Sequence, residues 1–282
     1  MNKQKLLLLI SVAGFLFVFG SGIASAYTID GFVSDDWGID LTSAVSKYYL
    51  NTNTPTGPTV DTITEDNADQ LSGVNTYVGP GYTHNGNTYD VEAIYFDNDV
   101  LYGYIAIVSG VAPLAVHNSG TYQSGYMSGD IGISVTSGTG EHDYEYGIDI
   151  NNNYAGGSDP TAQLMSVSDW DEVEYYPEAN PWEINAGSAA GTGYAQAFYT
   201  GYTPAYDSTY NGHYVLEVAF LLEDLGLLYG DEFTIHWTME CGNDYLDLVA
   251  TVDPIPEPAT MVLFGTGLIG IAGIGRKRII KK

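Results

Sequence analysis

Basic side chains are scarce in this sequence of 282 residues, where eight Lys and Arg stand against 35 Asp and Glu. Two of the eight lie in residues 1–26 and five in residues 276–282, so residues 27–255 hold one lysine, Lys47, against 34 acidic residues, a formal charge of −33. Such a surface does not neutralise phosphates, which argues against nucleic acid and anionic lipid headgroups as partners. Divalent cations, neutral sugars and basic proteins remain as possible partners. Alternatively, the acidity only keeps the protein soluble.

Cysteine and catalytic motifs are equally scarce. Cys241 is the single cysteine, so no intrachain disulfide can form, and we expect it to be a small buried hydrophobic residue. The five histidines show no zinc-ligand spacing, and no nucleophile elbow accompanies them. With so many carboxylates, a pair at glycosidase distance carries no information. The sequence therefore predicts that the protein is not an enzyme.

Residues 27–253 have almost no helical periodicity and no internal repeat of fixed period. In residues 91–108 apolar and polar positions alternate with a period of two, and Asp97-Asn98-Asp99 marks a turn between two strands, the second apolar on both faces. One short helical turn is predicted near Leu221, and an irregular loop from Asn51 to Thr64. Further strands are predicted to begin near Asp130, Tyr144, His213, Glu232 and Tyr245.

Many short strands separated by Gly-, Asn- and Ser-rich stretches indicate an all-β protein. We predict one domain, an acidic, Tyr-rich body over residues 27–253, folded as a single antiparallel β-sandwich of jelly-roll type.

The first 26 residues have the three parts of a secretory signal peptide. Lys3 and Lys5 precede an apolar run from Leu6 to Phe19, and Ala24-Ser25-Ala26 gives a small-x-small cleavage site before Tyr27. We therefore expect residues 1–26 to be removed by signal peptidase, with Ala24, Ala26 and Tyr27 at the cleavage site, and the remaining chain to be exported.

The last residues have a second tripartite pattern. Pro256-Glu257-Pro258 is followed by 17 mostly apolar residues, Ala259–Gly275, and then by basic residues that include Arg276, Lys277 and Arg278. Residues 254–282 resemble the PEP-CTERM sorting signal of Gram-negative bacteria. The resemblance implies a transmembrane helix, an inner-membrane-anchored intermediate with its basic end inside, and processing near the Pro-Glu-Pro by an exosortase. It further implies a final place at the cell surface or in the extracellular matrix of bacteria that make exopolysaccharide.

The body resembles the sugar-binding sandwiches of the DOMON-like and family 9 carbohydrate-binding module group. The stretches that carry the likeness are "TIDGFVSDDW", "AIYFDNDVLYGYIAI" and "YVLEVAFLLEDLG". The resemblance implies a sandwich fold and a sugar ligand, but it places no ligand-binding residue on this chain.

Acidic residues offer a possible cation site. Asp149-Ile150-Asn151-Asn152-Asn153 opens like a calcium loop, yet Tyr154 stands where Gly is needed and Pro160 where the bidentate Glu is needed, so an EF-hand is excluded. An irregular calcium site remains a hypothesis, with solvated turn carboxylates as the alternative. Its candidate ligands are Asp35, Asp36, Asp97, Asp99 and Asp149.

Aromatic residues offer a possible sugar site. Trp170 and Trp182 bracket the acidic, Pro-containing stretch "DEVEYYPEANP" and are predicted to be exposed stacking platforms. Tyr202, Tyr206 and Tyr210 lie in a stretch rich in Gly, Ser and Asn, a composition typical of binding loops, although packing of the tyrosines on sheet faces is the favoured interpretation.

Together these patterns predict an exported, non-catalytic surface or biofilm-matrix protein that associates with exopolysaccharide. The alternatives are a purely structural or calcium-bridged matrix protein without a discrete ligand site, and a glycan-active enzyme.

Overall fold

The fold is described from a computed structural model over residues 27–33, 36–39, 59–64, 91–111, 126–136, 144–150, 162–202 and 213–254. It contains ten strands and two short 3₁₀ helices, Pro177–Ala179 and Leu222–Leu225. The strands are β1 Asp61–Thr64, β2 Val91–Asn98, β3 Tyr102–Ser109, β4 Ile131–Ser134, β5 Tyr146–Ile150, β6 Ala162–Asp171, β7 Glu183–Tyr202, β8 His213–Leu221, β9 Glu232–Thr238 and β10 Tyr245–Thr251.

The strands form one antiparallel sheet in the order β1-β2-β3-β8-β7-β6-β5-β4-β9-β10. Its two edge strands come together, since the backbone N–H of Thr251 in β10 donates to the Asp61 carboxylate in β1 at 2.6 Å. The sheet is therefore nearly closed into a barrel. The prediction of an all-β, antiparallel fold is confirmed.

The strands predicted from alternation are present. The hairpin of β2 and β3 turns at residues 99–101, and both strands are buried along nearly their whole length, as predicted for the second of them. The predicted helical turn is the 3₁₀ helix Leu222–Leu225. The prediction of an irregular loop from Asn51 to Thr64 is wrong for its last four residues, which form β1 along the edge of β2.

Two strands, β6 and β7, have no counterpart in the sequence prediction. β7 runs for 20 residues, pairs with β6 through its first part and with β8 through its last part, and so joins the two halves of the sheet. Gly191 and Gly193 have φ angles of 53° and 69°, where glycine is favoured, and the register with β6 shifts there. Asp224 accepts hydrogen bonds from the backbone N–H and hydroxyl of Thr192 and fixes this bulge.

A large apolar cluster fills the interior of the sheet. It combines side chains from both halves, and Phe96 on β2 meets Phe233 on β9 edge to face at 4.9 Å. Cys241 lies in this cluster, as predicted, and so does Trp237. Burial of so many apolar side chains, at roughly 1.5–3 kcal/mol each, is the main term that stabilises the fold.

The N-terminal segment, residues 27–39 as far as they are described, covers the outer face of β2, β3 and β8. Trp37 is fully buried there, and Tyr27 packs on Trp37 at 4.2 Å and on Tyr104 at 5.0 Å between ring centroids. The hydroxyl of Tyr27 donates to Asp97 at 2.6 Å. The residue that would become the first of the mature chain is thus part of a second apolar cluster.

A buried carboxylate, Glu217 of β8, holds this segment in place. It accepts hydrogen bonds from the indole N–H of Trp37 at 2.9 Å and from the backbone N–H groups of Asp30 and Gly31. Burial raises the pKa of Glu217, and the three donors oppose that rise because they favour the ionised form. No Lys or Arg occurs among the described residues, so the buried carboxylate is stabilised by uncharged hydrogen-bond donors and not by an ion pair.

We expect Glu217→Gln to lower the free energy of unfolding by about 2–3 kcal/mol, because an amide presents N–H groups to at least one of three donors. Urea unfolding measures this loss, and amide hydrogen exchange should show residues 27–39 opening first. Glu232→Gln is the control, since Glu232 is exposed on β9 and its substitution should change little. Equal stability of the two variants would contradict the role given to Glu217.

Candidate functional site

A group of three tyrosine rings, one exposed and two half-buried, lies at the loop between β6 and β7. Tyr175 is 54% exposed, its ring stands edge to face with Tyr126 at 6.0 Å, and Tyr176 follows at 6.4 Å. The hydroxyl of Tyr126 donates to that of Tyr175 at 3.3 Å. We refer to Tyr126, Tyr175 and Tyr176 as the tyrosine surface.

A small satellite core beneath the loop keeps the tyrosine surface ordered. Val173, Ala179 and Trp182 are buried together against Met127 and Tyr245. The loop closes on itself through the backbone N–H of Val173, which donates to the side-chain oxygen of Asn180 at 2.7 Å. It is also tied to the end of β9, because the N–H of Glu174 donates to the carbonyl of Glu240 at 2.8 Å.

The buried ring of His236 supports the same loop from β9. Its Nε2 lies 3.2 Å from the carbonyl oxygen of Ala179 and 3.1 Å from that of Pro181, and its Nδ1 lies 2.7 Å from Asp247. The ring stacks on Tyr144 at 4.9 Å. Both ring nitrogens therefore face acceptors. A neutral imidazole has one N–H and donates either to the loop carbonyls or to Asp247, whereas an imidazolium donates to both.

Asp130 fixes the strand that leaves the loop. Its carboxylate is buried and accepts from the backbone N–H groups of Ile150 at 2.7 Å and Ile184 at 2.9 Å. Burial raises the pKa of Asp130 to about 8, against the lowering effect of these two hydrogen bonds and with a smaller contribution from the charges of Asp149 and Glu183.

The chemistry of the tyrosine surface is aromatic and anionic. Glu172, Glu174 and Glu178 are exposed in the same loop, and the described residues contain no Lys or Arg to balance them. The pKa of Tyr175 is raised by its hydrogen bonds with Tyr126 and Glu174. Flat phenol faces with carboxylate acceptors beside them suit a neutral polyhydroxyl ligand and repel a polyanion.

The structure corrects the expectation that both tryptophans at this loop are exposed. Trp182 is only 6% exposed, because it forms the satellite core with Val173 and Ala179, so its ring is not a stacking platform. Trp170 is half-buried, and its indole N–H donates to the carbonyl of Tyr144 at 2.9 Å.

The predicted tyrosines are placed only in part. Tyr202 ends β7, where it pairs with His213, and its side chain, together with Tyr206 and Tyr210, lies outside the described residues. Tyr175 and Tyr176 were not among the predicted site residues, although they stand in the acidic stretch between the two tryptophans. A Tyr-Tyr pair flanked by Glu and Pro in a loop was the available signal.

The described members of the predicted calcium set do not come together as a cation site. Asp36 accepts from the backbone N–H of Thr28, while Asp97 and Asp99 accept from tyrosine hydroxyls and turn N–H groups. Asp149 lies on β5, where burial raises its pKa. No group of three or more carboxylate, His or Cys side chains in the described part of the chain is arranged to hold a metal ion. Asp35 lies outside the described residues.

The carboxyl end of the described chain leads from β10 to Pro254. Residues 254–278 are a PEP-CTERM protein-sorting motif. The motif indicates an exported protein that passes through a membrane-anchored intermediate to the cell surface and is processed by an exosortase. The chain as a whole matches no curated protein at a significant level.

The sorting motif continues the body directly, because β10 ends three residues before Pro254. Its residues Pro256, Glu257, Pro258, Arg276, Lys277 and Arg278 lie outside the described residues, as do Ala24 and Ala26 of the predicted signal-peptide site. Within the described ranges, no helix is both long and apolar enough to span a membrane.

We expect His236→Phe to lower the free energy of unfolding by about 2 kcal/mol, since it leaves buried carbonyl oxygens without a donor while it keeps the ring stacked on Tyr144. Hydrogen exchange of amides 173–182 should rise more than that of β2 and β3. Asp247→Asn, which removes the charge and keeps an acceptor, should cost less. A His236→Phe protein as stable as the wild type would contradict this support role.

The pKa of Asp130 predicts a pH dependence. The folded state binds the proton of the Asp130 carboxyl more tightly than the unfolded chain does. The stabilisation that this proton gives is therefore fully present below about pH 4 and is lost as the pH rises to about 8. Over that range the free energy of unfolding falls by at most about 1.4 kcal/mol per pH unit.

Asp130→Asn should remove this slope in urea unfolding between pH 4 and 8, whereas the exposed Glu172→Gln should keep it. An unchanged slope in Asp130→Asn would show that other groups carry the pH dependence.

Proposed function

We propose that this exported protein is a non-catalytic component of the cell surface or extracellular matrix that associates with a neutral exopolysaccharide through the tyrosine surface. The observation that supports this proposal is the exposed ring of Tyr175, held edge to face against the half-buried Tyr126 and beside carboxylates, with no Lys or Arg among the described residues.

The composition of the site favours a neutral glycan. A pyranose ring offers an apolar face to a phenol ring and hydroxyl donors to carboxylates, and Glu172, Glu174 and Glu178 supply such acceptors in the same loop. Because the loop is tied down by Asn180, Glu240 and His236, little ordering entropy is lost when a ligand binds.

The resemblance of the body to sugar-binding sandwiches supports the same proposal. The sorting motif adds a consistent destination, since it directs the protein to the surface where such a polymer lies.

Binding of the purified body to an array of neutral polysaccharides tests the proposal. We expect Tyr175→Ala to weaken binding at least about tenfold, or ~1.4 kcal/mol, and Tyr175→Phe to weaken it less because the ring is kept. Tyr229→Ala is the matched control, because Tyr229 is similarly exposed at 53% and lies away from the tyrosine surface.

The outcomes separate the alternatives. Absence of any glycan binding by the wild type would end the proposal, and calcium-dependent self-association would then favour a cation-bridged matrix protein. Release of reducing sugar ends from a bound glycan would instead indicate a glycan-active enzyme.

A further inference from the structure

An apolar groove of about 420 Å³ opens at one end of the barrel. Its walls include Val100 and Leu101 from the β2–β3 turn, Leu227, Leu228 and Tyr229 from the turn before β9, and Val252 after β10. Leu228 is 72% exposed and Tyr229 53%, and Val100 and Leu101 are also exposed. This is a cluster of exposed large apolar side chains on a strongly acidic body, and such patches mark interaction sites.

The apolar side chains stand on well-organised turns. Asp99 accepts from the backbone N–H groups of Leu101 and Tyr102, both at 2.7 Å, and from the hydroxyl of Tyr104. On the opposite wall, the N–H of Leu228 donates to the Asp231 carboxylate at 2.8 Å, and the N–H of Asp231 donates back to the carbonyl of Leu228 at 3.0 Å. The exposed side chains are therefore presented by fixed backbone.

The chain leaves the body beside this groove. The carbonyl of Val252, itself in the groove wall, accepts from the N–H of Gly230 at 2.8 Å. Asn98 then holds Asp253 in both directions, accepting from its N–H at 2.8 Å and donating to its carbonyl at 3.0 Å. The sorting motif begins at the next residue, Pro254.

The apolar part of the motif starts close to the groove. Ala259 is five residues beyond Pro254, and five residues span at most about 17 Å when fully extended. While the tail is still in the membrane, the groove is therefore held within a short distance of the lipid surface. The opposite end of the barrel, which carries Glu178 and the tyrosine surface, is separated from it by the length of β9, about 23 Å.

We propose that this groove is a lipid-docking surface, on which Val100, Leu101, Leu228 and Tyr229 contact the zwitterionic headgroup region while the sorting motif is still uncleaved. Leucine, valine and tyrosine side chains suit that region, where aromatic rings are enriched. Glu223 and Asp231 lie beside them, which disfavours anionic lipid. The inference rests on the membrane-anchored intermediate and is independent of polysaccharide binding.

The test uses the full chain in phosphatidylcholine vesicles without an exosortase, with an environment-sensitive fluorophore on Leu228→Cys. The native Cys241 is buried and burial raises its pKa to about 12, so it should react little with the label. Glu178→Cys, exposed at the far end of the barrel, is the matched control. Flotation with the vesicles selects the inserted protein before the fluorescence is measured.

We expect the label at position 228 to emit at shorter wavelength and to be quenched several-fold more strongly by nitroxide-labelled lipid than the label at position 178. Equal quenching at the two positions in floated protein would overturn the proposal. A shift to shorter wavelength at position 228 without quenching by lipid would also overturn it, since the chain itself would then cover the groove.

Discussion

Each buried carboxylate of the body for which partners have been described takes two or three hydrogen bonds from N–H and O–H groups that carry no charge. Glu217 accepts from Trp37 and from two backbone amides of the N-terminal segment, and Asp244 accepts from Val91 and Tyr245. Asp97 and Asp99 accept hydrogen bonds from tyrosine hydroxyls and from backbone N–H groups of the turn. A chain this poor in Lys and Arg must place its acids either in water or against such donors, because a buried anion without partners is strongly unfavourable. The same kind of hydrogen bonding holds the N-terminal cover, the β2–β3 turn and the start of β7.

The two ends of the barrel differ in chemistry because they carry different loops and turns. At the end of β9 that leads to Glu240, the loop between β6 and β7 rests on a satellite core and displays phenol rings among glutamates. At the other end, two turns braced by Asp99 and Asp231 display leucine, valine and tyrosine beside the exit of the sorting motif. Strand β9 joins the two ends, which its length separates by about 23 Å.

Strands could be predicted from the sequence where the pattern of buried residues is visible within a single strand. The hairpin of β2 and β3 is apolar on both faces and was predictable from alternation alone, as were β8, β9 and β10. β6 and β7 were missed because they are rich in small and polar residues and have no continuous apolar stripe in the sequence, although Ala190 and Ala197 of β7 are buried in the core. Trp182 was misread because its burial depends on Val173 and Ala179, which the folded loop brings to it. Asp130 and His236 gave no signal in sequence, since their partners are backbone groups from distant elements.

The contact between Gly31 and Glu217 joins residues that are 186 positions apart in the chain. When an exported chain crosses a membrane from its N-terminal end, the cover over β2, β3 and β8 emerges first, yet its buried anchor on β8 emerges almost last. Until then the outer face of the hairpin, with Tyr95 and Tyr104, is open to solvent. The cover can therefore dock on its anchor only after β1 to β7 have crossed the membrane.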